Sequence, residues 1–95
     1  MKQGKTASGF AFCFDEKAAD DMRFVELLGE ITDPENDGLR IMSASAKALT
    51  LLLGKEQKAA LYAHIAAKNE GRVPTAAVGD ELRDILGAFN ETKNF

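Results

Sequence analysis

Tryptophan is absent, and cysteine, histidine, tyrosine and proline are scarce: Cys13, His64, Tyr62, and Pro34 with Pro74. One cysteine excludes an intrachain disulfide and a multi-cysteine metal site. A single histidine with no acid or hydroxyl at helical spacing leaves a catalytic triad without partners. No apolar run approaches the roughly 20 residues that span a bilayer. The run of leucines from Leu51 to Leu53 is under one helical turn. The N-terminal stretch is polar, with no signal-peptide pattern. The expectation is a soluble protein of a reducing cytoplasm.

What is present fits one small domain. The 95 residues leave room for one core, and 45% apolar with 28% charged content is that of a folded globular chain. The net charge of −3 hides a strong local bias. Between Asp15 and Asp37 nine acids face only Lys17 and Arg23, giving −7. Such a stretch is a solvated helix face or a lure for a basic partner, and it disfavours nucleic acid and anionic membranes.

Phe10, Phe12 and Phe14 alternate with Ala11, Cys13 and Asp15, the period of a strand with one buried face. Ser8-Gly9 precedes them, so the chain from Lys2 to Ala7 pairs back as a hairpin over 1–15. Four amphipathic helices are expected in a small bundle over 18–89. The first runs from about Ala18 to Ile31 with Met22, Phe24, Val25, Leu27, Leu28 and Ile31 as its stripe, and stops at Asp33-Pro34. The second carries Leu39, Met42, Ala46, Leu49 and Leu53 inward, widened by Ile41 and Leu52, and closes at Gly54. The third spans about Lys55 to Asn69 around Leu61, Tyr62 and Ile65. Gly71 ends it, and Val73-Pro74 opens the fourth, faced by Val78, Leu82, Ile85, Leu86 and Phe89. Residues 90–95 read as a flexible tail. The fold class is mainly α with a short N-terminal β-hairpin.

Several motifs reduce to plain structure. Asp33, Glu35, Asp37 and Gly38 imitate the opening of a calcium loop, but Ala44 stands where the bidentate glutamate belongs. A capped turn explains that segment better. Asn69 to Pro74 imitates a helix-turn-helix linker, yet the following helix carries Asp80, Glu81 and Asp84 against Arg83 alone, which repels phosphate. Cys13 sits among apolar neighbours and reads as packing. An acyl carrier is excluded because Ser8, Ser43 and Ser45 follow Ala7, Met42 and Ala44, not an aspartate. No convergent catalytic set appears, and no cofactor is expected.

Taken in order, Lys5 to Phe12, Asp20-Asp21-Met22 with Val25 to Leu28, Leu52 to Gln57 leading into Ala60-Leu61-Tyr62, Gly71 to Pro74, Glu81-Leu82 and Lys93-Asn94 form a series. It resembles the tail assembly chaperones of long-tailed bacteriophages and prophages. A departure is Ala76-Ala77, where that group often has a bulky residue before the position of Val78. The resemblance implies a non-enzymatic protein that binds the tape-measure protein and keeps it soluble while tube subunits polymerise. It implies the tail tube protein and self-association as further contacts, the host cytoplasm as location, and exclusion from the mature virion. Met22, Phe24, Leu51 and Phe89 are the candidate partner-binding residues. It also implies a longer frameshifted product, for which Thr92-Lys93-Asn94 permits a slippery codon run. The rival expectation is a small acidic adaptor that binds a basic protein segment.

Overall fold

The computed structural model describes residues 2–93, with side chains described at all of these except 19 and 89–93. The fold is mainly helical with an N-terminal hairpin. Strand β1 (Lys2–Lys5) pairs antiparallel with β2 (Ala11–Phe14), matching Gln3 to Cys13 and Gly4 to Phe12. The reversal is closed by Thr6 N–H donating to the Phe10 carbonyl at 2.9 Å and Gly9 N–H to the Thr6 carbonyl at 2.9 Å. Gly9 takes φ +97°, which a glycine adopts without steric cost. A 3-10 helix, Glu16–Asp20, leads into α1 (Met22–Thr32), then α2 (Gly38–Lys68) and α3 (Thr75–Lys93).

Aspartates start the 3-10 helix, α1 and α2. Asp15, Asp21 and Asp37 are N-caps of the 3-10 helix, α1 and α2, their carboxylates accepting from the N–H groups of Lys17, Arg23 and Arg40. Each satisfies a donor that the first helical turn leaves open. The cap at Asp21 divides the expected first helix: its start belongs to the 3-10 helix capped by Asp15, and α1 proper begins at Met22. It ends at Thr32, with Asp33 extended ahead of Pro34.

Among the described residues three α-helical elements are found where four were expected. The second and third expected helices form one 31-residue element, α2, in which Gly54 alone departs from helical geometry at φ 82°, ψ 165°. No linker separates the halves: helix resumes at Lys55. The turn from α2 to α3 has Glu70 and Gly71 at positive φ, and Gly71 N–H returns to the Ala66 carbonyl at 2.8 Å. Helix α3 continues past Asn90 to Lys93; Asn94 and Phe95 lie outside the described residues.

The hairpin phenylalanines Phe10, Phe12 and Phe14 pack with Phe24, the α2 residues Leu49, Leu52, Leu53, Leu61 and Ile65, and Val78, Leu82 and Ile85 of α3. Phe14, Phe24, Leu49, Leu61 and Ile85 are fully buried, each contributing about 1.5–3 kcal/mol relative to an exposed position. The buried face of α2 differs from the expected one in its first half. Ala44, Ser45 and Ala48 point inward, while Leu39 is 83% exposed. Ser45 is accommodated because its hydroxyl donates to the Ile41 carbonyl at 2.8 Å. Gly4 has a steric role, since a Cβ there would lie 2.6 Å from the Phe12 ring.

Candidate partner-binding surfaces

An apolar groove of about 420 Å³ opens where α1, the first half of α2, and α3 meet. Ile31 supplies one wall, Ile41 and Met42 another, and Leu82 and Leu86 the third. On α3 the groove also touches Gly79, Arg83 and Gly87, spaced four apart on one helical face. A Cβ at Gly79 or Gly87 would meet nothing within 4 Å, so open space lies over that face. Apolar side chains left at a surface cavity of this kind fit the spaced anchors of an amphipathic helix. Further apolar surface is displayed by Met22, Val25 and Leu39, exposed by 65%, 46% and 83%.

A second cleft, about 460 Å³, runs between Arg23, Glu26, Leu27 and Glu30 of α1 and Lys47 and Leu51 of α2. Its floor is apolar and its rims are charged. Leu51 is therefore half-buried in a cleft, while Met22 is exposed outside it. Phe24 is wholly buried and belongs to the core. The side chain of Phe89 lies outside the described residues. The four expected contact residues thus do not define one surface among the described side chains. The groove residues Ile41, Met42, Leu82 and Leu86 do, and their signal in the sequence was a stripe wider than one helix pair needs.

The acidic stretch is largely absorbed by local structure. Beyond the three N-caps, Asp33 accepts from Glu35 N–H at 2.9 Å, and Glu30 pairs with Arg40 at 3.1 Å. The Arg23 guanidinium, 2.6 Å from Asp21, holds that carboxyl down at about 2, below its ordinary 3.8, with the Arg23 backbone N–H assisting. Arg23 is raised in turn by the same contact. The segment that imitates a calcium loop uses Asp33 and Asp37 on backbone N–H groups and Asn36 on the Glu30 carbonyl.

A polar cluster ties the hairpin reversal to α2 and α3. Glu81, 5% exposed, accepts from Thr6 Oγ1 at 2.9 Å and from Ser8 Oγ at 2.9 Å. Ser8 Oγ is also 3.0 Å from His64 Nε2. Asp84 accepts from Ala7 N–H at 2.8 Å, and Lys68 donates to the Ser8 carbonyl. A hydroxyl has one proton. With that proton given to Glu81, Ser8 accepts from His64 Nε2–H, so the imidazole does not act as its base. The carboxylate contacts the hydroxyl and not the imidazole, the reverse of a charge-supported triad. Chemically this is a clamp. It lay beyond reading along one helix, because His64 finds its partner in the hairpin, 56 residues away.

No family model, curated protein or solved structure was found to match this chain.

Proposed function

We propose that this chain is a non-enzymatic tail assembly chaperone of the long-tailed phage type. It holds apolar helical segments of a tape-measure protein in the groove bounded by Ile31, Met42 and Leu86, and so keeps that protein soluble until tail tube subunits cover it. The reading places it in the bacterial cytoplasm, absent from the finished virion, with the tube protein or a second copy as additional contacts. Cofactors, nucleic acid and membranes have no part in it.

The observation that carries the reading is apolar surface beyond the needs of the core: a three-walled groove together with exposed Met22, Val25 and Leu39. Apolar stripes of a long helix aggregate unless covered, and a groove of complementary chemistry covers them. The Ser8–His64–Glu81 geometry supports the non-enzymatic part, since it is arranged to tie and not to activate. No helix among the described residues is long and apolar enough to cross a membrane. The acidic adaptor is the weaker reading because capping and pairing already employ Asp15, Asp21, Glu30, Asp33 and Asp37.

The first test is the nucleotide sequence of the gene from codon 92 onward. A slippery run at Thr92-Lys93-Asn94, overlapping a second frame and followed by a very long helix-rich gene, supports the chaperone. Co-expression with the product of that gene should then keep it in the supernatant. A non-slippery run among unrelated neighbours, with no gain in solubility for a tape-measure fragment, would falsify the reading.

A further inference from the structure

The two long edges of the hairpin are treated differently. Antiparallel partners alternate between pairs that exchange hydrogen bonds and pairs whose N–H and C=O groups point outward. Thr6 and Phe10 are bonded to each other, which by alternation makes Gly4–Phe12 and Lys2–Phe14 the bonded pairs. Gln3–Cys13 and Lys5–Ala11 are then the outward-pointing pairs. On the β2 edge the outward groups of Cys13 are met by Gln57, whose Oε1 accepts from Cys13 N–H at 2.9 Å and whose Nε2 donates to its carbonyl at 2.7 Å. One amide side chain there reproduces the bonding of a neighbouring strand.

On the β1 edge the outward groups belong to Gln3 and Lys5, both exposed, and no described residue bonds them. The next outward N–H, at Ala7, is taken by Asp84. The open ladder is therefore short and has a defined end. Beside it runs a trough of about 510 Å³ between β1 and the Arg83–Gly87 turn of α3. Its charged lining consists of Lys2, Lys5, Arg83 and Asp84; Asp84 is engaged with Ala7 and Arg83 is paired with Asp80 at 2.8 Å, so Lys2 and Lys5 set the sign of the site. In a chain of net charge −3 this is a local cationic site.

We propose that the β1 edge is a second docking site, which adjoins the apolar groove at Arg83 and Gly87 but binds through strand-edge groups, and that it takes an extended acidic segment of another protein as a third strand. Main-chain bonds to Gln3 and Lys5 supply register, and Lys2 and Lys5 select carboxylates on the incoming strand. A second copy of this chain is the poorer occupant: antiparallel β1–β1 pairing gathers Lys2 and Lys5 of both copies on one short ribbon, and concentrated like charge repels.

The test uses the full chain and a short end-capped peptide alternating glutamate with valine. Titration at low salt should give saturable binding that weakens as salt rises, with the Gln3 and Lys5 amides gaining protection from hydrogen exchange. Replacing the peptide's glutamates by lysine should abolish binding. Gln3→Pro removes an outward N–H without touching the bonded pairs, and should weaken binding roughly tenfold while Gln3→Thr does not. A peptide N-methylated on alternate residues should fail against the unaltered protein, which keeps the test valid even if Gln3→Pro unfolds the hairpin. The proposal is overturned if the acidic peptide leaves both amides unprotected, if the lysine peptide binds equally well, or if the edge proves occupied by a second copy. None of these outcomes bears on the apolar groove, so this inference and the chaperone reading stand or fall separately.

Discussion

At the scale of single residues, charge and polarity are used here mainly to start helices and to hold the hairpin. Asp21 caps α1 and is kept ionised by Arg23, so its carboxyl titrates at about 2, lowered from 3.8. A carboxylate with a lowered folded value contributes stability that is fully present above its unfolded value, near pH 4, and disappears as pH falls through 2. Asp21→Asn should thus lower the melting temperature at pH 5 to 7, and the difference from the unaltered protein should close near pH 2. Thermal melts across that range check this; a gap that stayed constant with pH would count against the ion pair. Glu81 is more consequential because it is buried and accepts from two hydroxyls. Glu81→Ala leaves Thr6 and Ser8 without their acceptor and should cost about 2–3 kcal/mol, measured by urea unfolding. Ser8→Ala should cost less, because Thr6 keeps its bond.

At the scale of elements, two glycines make opposite predictions. Gly54 interrupts α2 at φ 82°, where an L side chain is strained, so Gly54→Ala should destabilise by about 1–3 kcal/mol. Gly79 lies inside α3 with open space where a Cβ would go, so Gly79→Ala should stabilise by roughly 0.5–1 kcal/mol through helix propensity. Chemical denaturation of both variants reads the sign. The elements were legible in the sequence wherever local chemistry decides: the alternating phenylalanines, the stop at Asp33-Pro34, the glycine at the end of α2, the proline ahead of α3. The interruption at Gly54 and the return to helix at Lys55 were legible too; that the two halves form one continuous element was not. The inward face of α2 was read wrongly because large residues were weighted over small ones. Ala44 and Ala48 are buried, and Leu39 at the first turn is left exposed. The polar clamp was invisible along the chain because its members come from the hairpin, α2 and α3 and meet only in three dimensions.

For the whole molecule, the arrangement separates a closed core from surfaces left open. Phe24, expected as a contact, proves to be core, whereas Ile41, Met42 and Leu86 remain half-buried at a groove. Met42→Glu or Leu86→Glu should leave the circular dichroism spectrum and melting temperature close to those of the unaltered protein, since neither side chain is fully buried. Each should abolish the solubilisation of a co-expressed tape-measure fragment, scored as the fraction in the supernatant. Retained solubilisation would move the docking site away from the groove, toward Met22 or the cleft at Leu51. Loss of folding would instead assign these side chains to the core.

The clamp also has a consequence in time. The hairpin reversal is held by Glu81 and Asp84, which follow it by 73 to 77 residues. Contacts of such separation form only after a long loop has closed, and they slow folding. On the ribosome the hairpin emerges early, and its turn can meet only His64 and Lys68 of α2 until the segment bearing both carboxylates has left the exit tunnel. During that interval the phenylalanine face lacks the part of its cover that Val78, Leu82 and Ile85 supply, so a protein proposed to guard another chain against aggregation passes through a stage of synthesis in which it is itself exposed.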